Sequence, residues 1–166
     1  THKEVLPTTR MTDVFEAQGW LNLNNKAGTL TIAGTRIGFL GLDDPHDELA
    51  WYETLDQQRS DIGKQDLIIG VAHAPYRKVI SEFGERGAEL VLAGHTHGGQ
   101  VCLPGFGALI TNCDLPVKFA KGLSQHEVGG KKVWLNVCAG LGTSIFAPVR
   151  FFCKPEVRLL TLIAKG

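Results

Sequence analysis

Apolar residues fall along the chain in short runs divided by glycine, proline and charged clusters, and the spacing within each run predicts its structure. Residues 29–42, TLTIAGTRIGFLGL, read as two short strands joined by Ala33-Gly34, and the second is β-branched and aromatic enough to be buried. The polar stretch DDPHDELAWYETLDQQRS follows. Asp44 before Pro45 has the form of an N-cap and first helical residue, and Asp47 and Glu48 suit the positive end of a helix dipole, predicting a helix over about residues 46–60. Next come DLIIGVAH (66–73), a buried strand; YRKVISEFGERG (76–87), a helix; and AELVLAGH (88–95), a second buried strand. Strand, helix and strand at this spacing make a βαβ unit with parallel strands, whose carboxyl ends share one edge of the sheet. His73 ends the first strand and His95 the second, so the two should meet.

After Gly99 the pattern breaks into shorter glycine-punctuated pieces. The Gly129-Gly130 pair between GLSQHEV and KKVWLNVC is a hairpin signal, which makes this region look antiparallel. PEVRLLTLIA reads as a closing strand. The expected fold class is mixed α/β, a βαβ unit followed by antiparallel strands. One domain over residues 1–166 is expected, with no internal repeat.

Composition narrows the function classes. Among 166 residues, 17 Lys and Arg balance 17 Asp and Glu, so the broad basic surface that holds nucleic-acid backbones is not expected, nor is such a partner. Cys102, Cys113, Cys138 and Cys153 form no CxxC pair and are expected to be free, mostly buried thiols. No run is long and apolar enough to span a bilayer and no signal peptide is evident, so the expected location is the cytoplasm or the inner face of a membrane. The opening at Thr1 leaves room for an upstream segment.

The candidate chemistry lies in VLAGHTHGGQV (91–101). A lone histidine at a strand end is commonly a core residue or a backbone-bonded loop residue. An HxH pair, His95 and His97, with His73 on the adjacent strand end favours metal ligation instead. Three imidazoles suit zinc, manganese, iron or cobalt better than calcium or magnesium.

GHTHGGQ (94–100), preceded by VAHAP (71–75), resembles the two C-terminal signature motifs of the calcineurin-like metallophosphoesterases. GLDDPH (41–46), GLGTS (140–144), the following APVRF and the closing PEVRLLTL extend the likeness from about Leu6 onward. Together they resemble a bacterial branch that includes phosphodiesterases similar to UDP-2,3-diacylglucosamine pyrophosphatase. The resemblance implies a four-layer αββα sandwich with two divalent ions, bridged by an aspartate and a hydroxide that attacks phosphorus in line. It assigns His73 and His95 to one ion and His97 to the other. Asp43, His46 and Gln100 are candidates for the substrate edge.

The family's N-terminal motifs are missing: this chain contains no Gly-Asp and no Gly-Asn dipeptide. Asp44-Pro45-His46 has the form aspartate-x-histidine but lies close before His73, and a capping role accounts for Asp44. The catalytic acid and the bridging group are therefore expected in an absent N-terminal half of the same protein. The expectation is a C-terminal half of a two-metal phosphoester hydrolase, inactive alone and only partly occupied by metal, acting in full length on a small-molecule or lipid phosphoester. The alternative is a non-catalytic module binding phosphate, nucleotide or lipid phosphate. Arg150 reads as a salt-bridged or solvated residue before a phosphate ligand, and Tyr76 as a packed aromatic near the cleft. Ser144 lacks the glycine two positions on that a nucleophile elbow requires. His2 and His126 have no evident partner for ligation.

Overall fold

The computed structural model describes residues 8–46, 50–144 and 147–163. A helix, α1 (Thr8–Ala17), precedes a hairpin of β1 (Ala27–Ile32) and β2 (Thr35–Gly41). The hairpin turns at Ala33 (φ 49°) and Gly34 (φ 83°), two successive left-handed residues that match the twist of the paired strands. Then come α2 (Leu55–Ile62), β3 (Leu67–Val71), α3 (Arg77–Glu85) and β4 (Leu90–Ala93). A two-strand ribbon, β5 (Cys102–Leu103) and β6 (Gly107–Ala108), leads to the hairpin β7 (Gly122–Val128) and β8 (Lys131–Val137).

Six strands form one sheet in the order β1-β2-β3-β4-β8-β7. β2, β3, β4 and β8 run parallel, and β1 and β7 are antiparallel edges. The expected βαβ unit is present, as is the hairpin turning at Gly129-Gly130. The region after Gly99 is antiparallel only within its hairpins, because β8 joins β4 in parallel. The fold is mixed α/β with α2 and α3 on one sheet face, as in a fragment of an α/β sandwich.

Alternation along the strands divides the core. Ile68, Val91, Val133, Leu135 and Val137 face α2 and α3 and pack with Leu55, Val79, Ile80 and Phe83. Ile37, Ile69 and Leu90 point the other way, with Phe39, Leu67, Val71, Leu92 and Leu160 against them. On that second face Leu123 and Trp134 are exposed beside a groove of about 290 Å³ that Leu67, Leu90, Leu160 and Leu162 also line.

Two expectations are corrected. The helix expected over 46–60 is α2, preceded by a single 3-10 turn at Tyr52–Thr54. Asp44 caps a tight turn instead, its Oδ1 accepting from the His46 N–H (2.8 Å), and Trp51 is non-helical (φ −94°, ψ 82°). Asn25 Oδ1 accepts from the N–H groups of both Asp43 (3.2 Å) and Trp51 (2.9 Å), tying both residues to one side chain. Asp47 and Glu48 lie outside the described residues. PEVRLLTLIA is not a strand over its described part. Val157, Leu159 and Ile163 are exposed, and Leu160 packs on the sheet face, where no strand among the described residues offers it a ladder. All four cysteines are free, with Cys102 and Cys153 buried and Cys113 and Cys138 half-buried. Among the described residues no helix is long and apolar enough to cross a membrane.

Candidate metal centre at the carboxyl edge of the sheet

β2, β3 and β4 end at the same edge, and each is followed at once by a loop carrying polar groups. Gln58 of α2 fixes the first loop: its buried carboxamide accepts from Gly41 N–H and donates to Gly41 C=O, both at 3.0 Å. Gly41 leaves no room for a side chain there, since a Cβ would fall 2.0 Å from the Leu23 carbonyl oxygen. The second and third loops are tied together, with Ala72 N–H donating to Leu92 C=O (3.1 Å) and Gly94 N–H to His73 C=O (2.9 Å).

These bonds bring His73 and His95 together. His73 Nε2 lies 3.1 Å from His95 Nδ1, with the rings at 72° and their centroids 5.0 Å apart. His95 Nε2 lies 3.1 Å from the Asn112 carbonyl. A carbonyl only accepts, so Nε2 carries the proton and the Nδ1 lone pair faces His73. Burial pushes the His95 pKa down, against the opposing Asn112 bond and with help from His73 and His46, which keeps the ring neutral as a ligand must be.

Other groups close in on this pair. Asp44 Oδ2 lies 3.7 Å from His73 Nε2. His46 packs its ring 4.7 Å from that of His95, and its Nδ1 is 2.6 Å from the Tyr76 hydroxyl, which itself donates to Asn112 C=O at 3.4 Å. Arg77 N–H, in the first turn of α3, donates to Asp114 Oδ1 (2.8 Å), so a distant loop caps the helix and is held over the histidines. Sequence reasoning missed Asn112 because its contribution is a backbone carbonyl. Its left-handed φ of 55°, which asparagine tolerates better than most residues, is the only local trace.

The remaining candidates separate from this group. His97 makes no side-chain hydrogen bond or ring contact with His73 or His95 among the described residues. Its backbone is left-handed (φ 49°), like that of His95 (φ 64°), Gly98 (φ 66°), Gly99 (φ 85°) and Gln100 (φ 50°). Five such residues among six mark a loop held by its surroundings. Asp43 Oδ1 accepts from Asp44 N–H (2.8 Å), stabilising its own turn. Gln100 is buried, with Nε2 donating to Ala147 C=O (3.0 Å) and Oε1 accepting from Ser144 N–H, so its carboxamide is engaged by the following loop rather than presented to the cleft. Arg150 makes no salt bridge among the described residues; it is half-buried and binds backbone carbonyls. His126 is on edge strand β7, with its Nε2 2.9 Å from Ser124 Oγ. His2 lies outside the described residues.

Two nitrogens 3.1 Å apart can both lie about 2.1 Å from one ion, at an N–metal–N angle of about 95°, within the range of ordinary coordination. The pair therefore fits part of a coordination shell. Among the described residues no group of three or more His, Cys, Asp or Glu is arranged to hold a metal ion.

The chain is 31% identical over 150 residues to the "Uncharacterized metallophosphoesterase YkuE" of Bacillus subtilis (strain 168), covering 90% of this chain and 49% of that protein. This likeness supports the metallophosphoesterase family. It is also 29% identical over 154 residues to the "Uncharacterized protein YpbG" of the same organism, covering 92% of this chain and 52% of that protein. The chain thus spans about half the length of the curated relatives it matches. No family model matches the chain, and no solved structure matches it.

Proposed function

We propose that this chain carries the histidine half of the active site of a metal-dependent phosphoester hydrolase. In this reading His73 and His95 share one divalent ion and His97 faces a second. The observation that carries it is the 3.1 Å approach of two ring nitrogens from adjacent strand ends, with the His95 tautomer set by Asn112. Such ions, whether manganese, iron, zinc or cobalt, supply a nucleophile at neutral pH and stabilise charge developing on phosphorus. The residues of this chain orient and complete that site. Asp44 adds negative charge beside His73, and His46 with Tyr76 forms a wall against His95.

Two dications close together repel unless an anion lies between them. The bridging carboxylate and the group that protonates the leaving oxygen are assigned to a further half-domain of the same protein, in keeping with relatives of which this chain spans about half. The open sheet face supports that layer: Trp134 and Leu123 are exposed on it, and the buried Asn136 Oδ1, also on β8, has no hydrogen-bond partner among the described residues. The substrate is a small-molecule or lipid phosphoester, of the kind implied by the likeness to UDP-2,3-diacylglucosamine pyrophosphatase. A second reading, phosphate binding without turnover, is favoured by the lack of a complete ligand group among the described residues.

Titrating the chain with Co²⁺ while following its visible spectrum tests the metal reading. Weak, substoichiometric occupancy is expected, lost in His73→Ala and His95→Ala. Occupancy unchanged in both variants, or two tightly held ions per chain, refutes it. No turnover of an aryl phosphodiester with added Mn²⁺ is expected; robust turnover abolished by His97→Ala overturns the claim that this chain is inactive alone.

A further inference from the structure

The half-buried Arg150 guanidinium points inward. Its Nη1 donates to the His97 carbonyl (3.0 Å) and to Cys153 Sγ (3.6 Å), and its Nε to the Gly142 carbonyl (3.0 Å). Nη2 donates to the carbonyls of Ala139 (2.7 Å), Gly140 (3.2 Å) and Gly142. An arginine has five N–H donors, and this set of acceptors occupies all of them, leaving none for a phosphate oxygen. A planar fork is needed to reach acceptors on both sides at once, which an ammonium group cannot do.

The fork joins two segments: the loop after β8 (139–142) and the carbonyl of His97. That carbonyl also accepts from the Gln100 N–H (3.2 Å), and Cys153 Sγ lies 3.3 Å from both it and the Gly98 carbonyl. The adjoining Gly98 is seated tightly, since a Cβ there would lie 2.8 Å from Cys153 Sγ and 2.9 Å from Ala139 Cβ. With the 97–98 peptide held by these bonds and by the tight seat of Gly98, the left-handed backbone of His97 has one orientation and its side chain one direction of exit.

We propose that Arg150 is the positioning residue of His97, acting through the His97 carbonyl rather than on substrate. This inference rests on the proposal that His97 serves the second ion. Its prediction is selective. Arg150→Lys weakens the His97-dependent part of metal binding by about tenfold to a hundredfold, the usual loss when an outer partner of a ligand is removed, and leaves the His73–His95 part unchanged.

The test combines Mn²⁺ titration with ¹H–¹⁵N spectra of the histidine rings and backbone in the parent, Arg150→Lys and Arg150→Gln. Support consists of shifted His97 and Gly98 signals with unmoved His73 and His95 signals. A merely structural role moves all three histidines or only the melting temperature. If the parent binds no ion through His97, the proposed function fails, while the shift of the His97 signals still decides the role of Arg150. If neither variant folds, the guanidinium protons of the parent decide: a fork fixed on carbonyls gives separate, slowly exchanging Nη resonances. Averaged, rapidly exchanging Nη protons, or unshifted His97 signals in a folded variant, overturn the inference.

Discussion

Gly70, in the middle of β3, is where packing and the candidate site are most tightly linked. It pairs with Leu40 on one side and Val91 on the other, and the ring of Phe83 of α3 packs directly against it. A Cβ at Gly70 would fall 2.5 Å from Phe83 Cδ2 and 2.6 Å from Cγ, about an ångström inside normal contact. Phe83 is fully buried in the core between α3 and the sheet. The added methyl must push apart helix and strand, at a cost of about 1–3 kcal/mol for overpacking. A chain of this size loses about 2–4 °C of melting temperature per kcal/mol, so Gly70→Ala should melt about 2–12 °C below the parent. The assay is a double-mutant cycle in urea with Phe83→Leu. Alone, Phe83→Leu leaves a cavity and destabilises; in the Gly70→Ala background it also makes room for the methyl, so the double variant should be at least 1 kcal/mol more stable than the sum of the singles. A Gly70→Ala variant within about 0.5 kcal/mol of the parent, with no coupling to Phe83, would refute the packing argument.

Burial lowers the pKa of His95 and of His126, the latter with the nearby Arg77 adding to the effect, from the ordinary 6.5. Below about pH 6.5 the unfolded chain takes up protons that the folded chain resists, so stability should fall on acidification from that point. Melting temperatures in metal-free buffer check this: replacing both residues by glutamine should flatten the decline, and an equally steep decline in the double variant would contradict it. Asp114→Ala removes the acceptor at the start of α3 and should cost about 0.5–2 kcal/mol in chemical denaturation. It should also loosen the 112–114 loop and raise amide exchange at Asn112, whereas a loss of stability with unchanged exchange there would separate the cap from the site.

The sequence revealed the sheet wherever alternation or burial imposed a clear period. LIIGV and LVLA are short apolar runs on either side of a helix in the sequence, so their parallel pairing and the meeting of His73 with His95 followed from the βαβ rule. The hairpins at Ala33-Gly34 and Gly129-Gly130 were legible from their turns: each needs two left-handed residues, and glycine supplies three of the four at low cost. What the sequence concealed was competition for the same groups. Asp44-Pro45 has the form of a helix start, but the Asn25 side chain from an earlier loop ties Asp43 and Trp51 to itself. PEVRLLTLIA has strand composition but meets a sheet face instead of an edge. Helix α1 was not predicted, although Met11, Val14 and Phe15 fall at helical spacing; all three are exposed. In the candidate site, Gln100 and Arg150 carry groups that often meet ligands, and only the path of the chain shows that both are turned toward backbone.

The Asn112 carbonyl has a consequence for how this site can be dissected. The group that sets the His95 tautomer belongs to the main chain, so no side-chain deletion removes it, and an alanine scan would pass over it. Such a contact is exposed by changes that act on the main chain: an ester in place of the peptide linkage following Asn112, which weakens the acceptor, or a β-branched residue at position 112, which opposes its left-handed conformation. One determinant of the centre is thus written in the course of the chain, where residue-by-residue comparison does not record it.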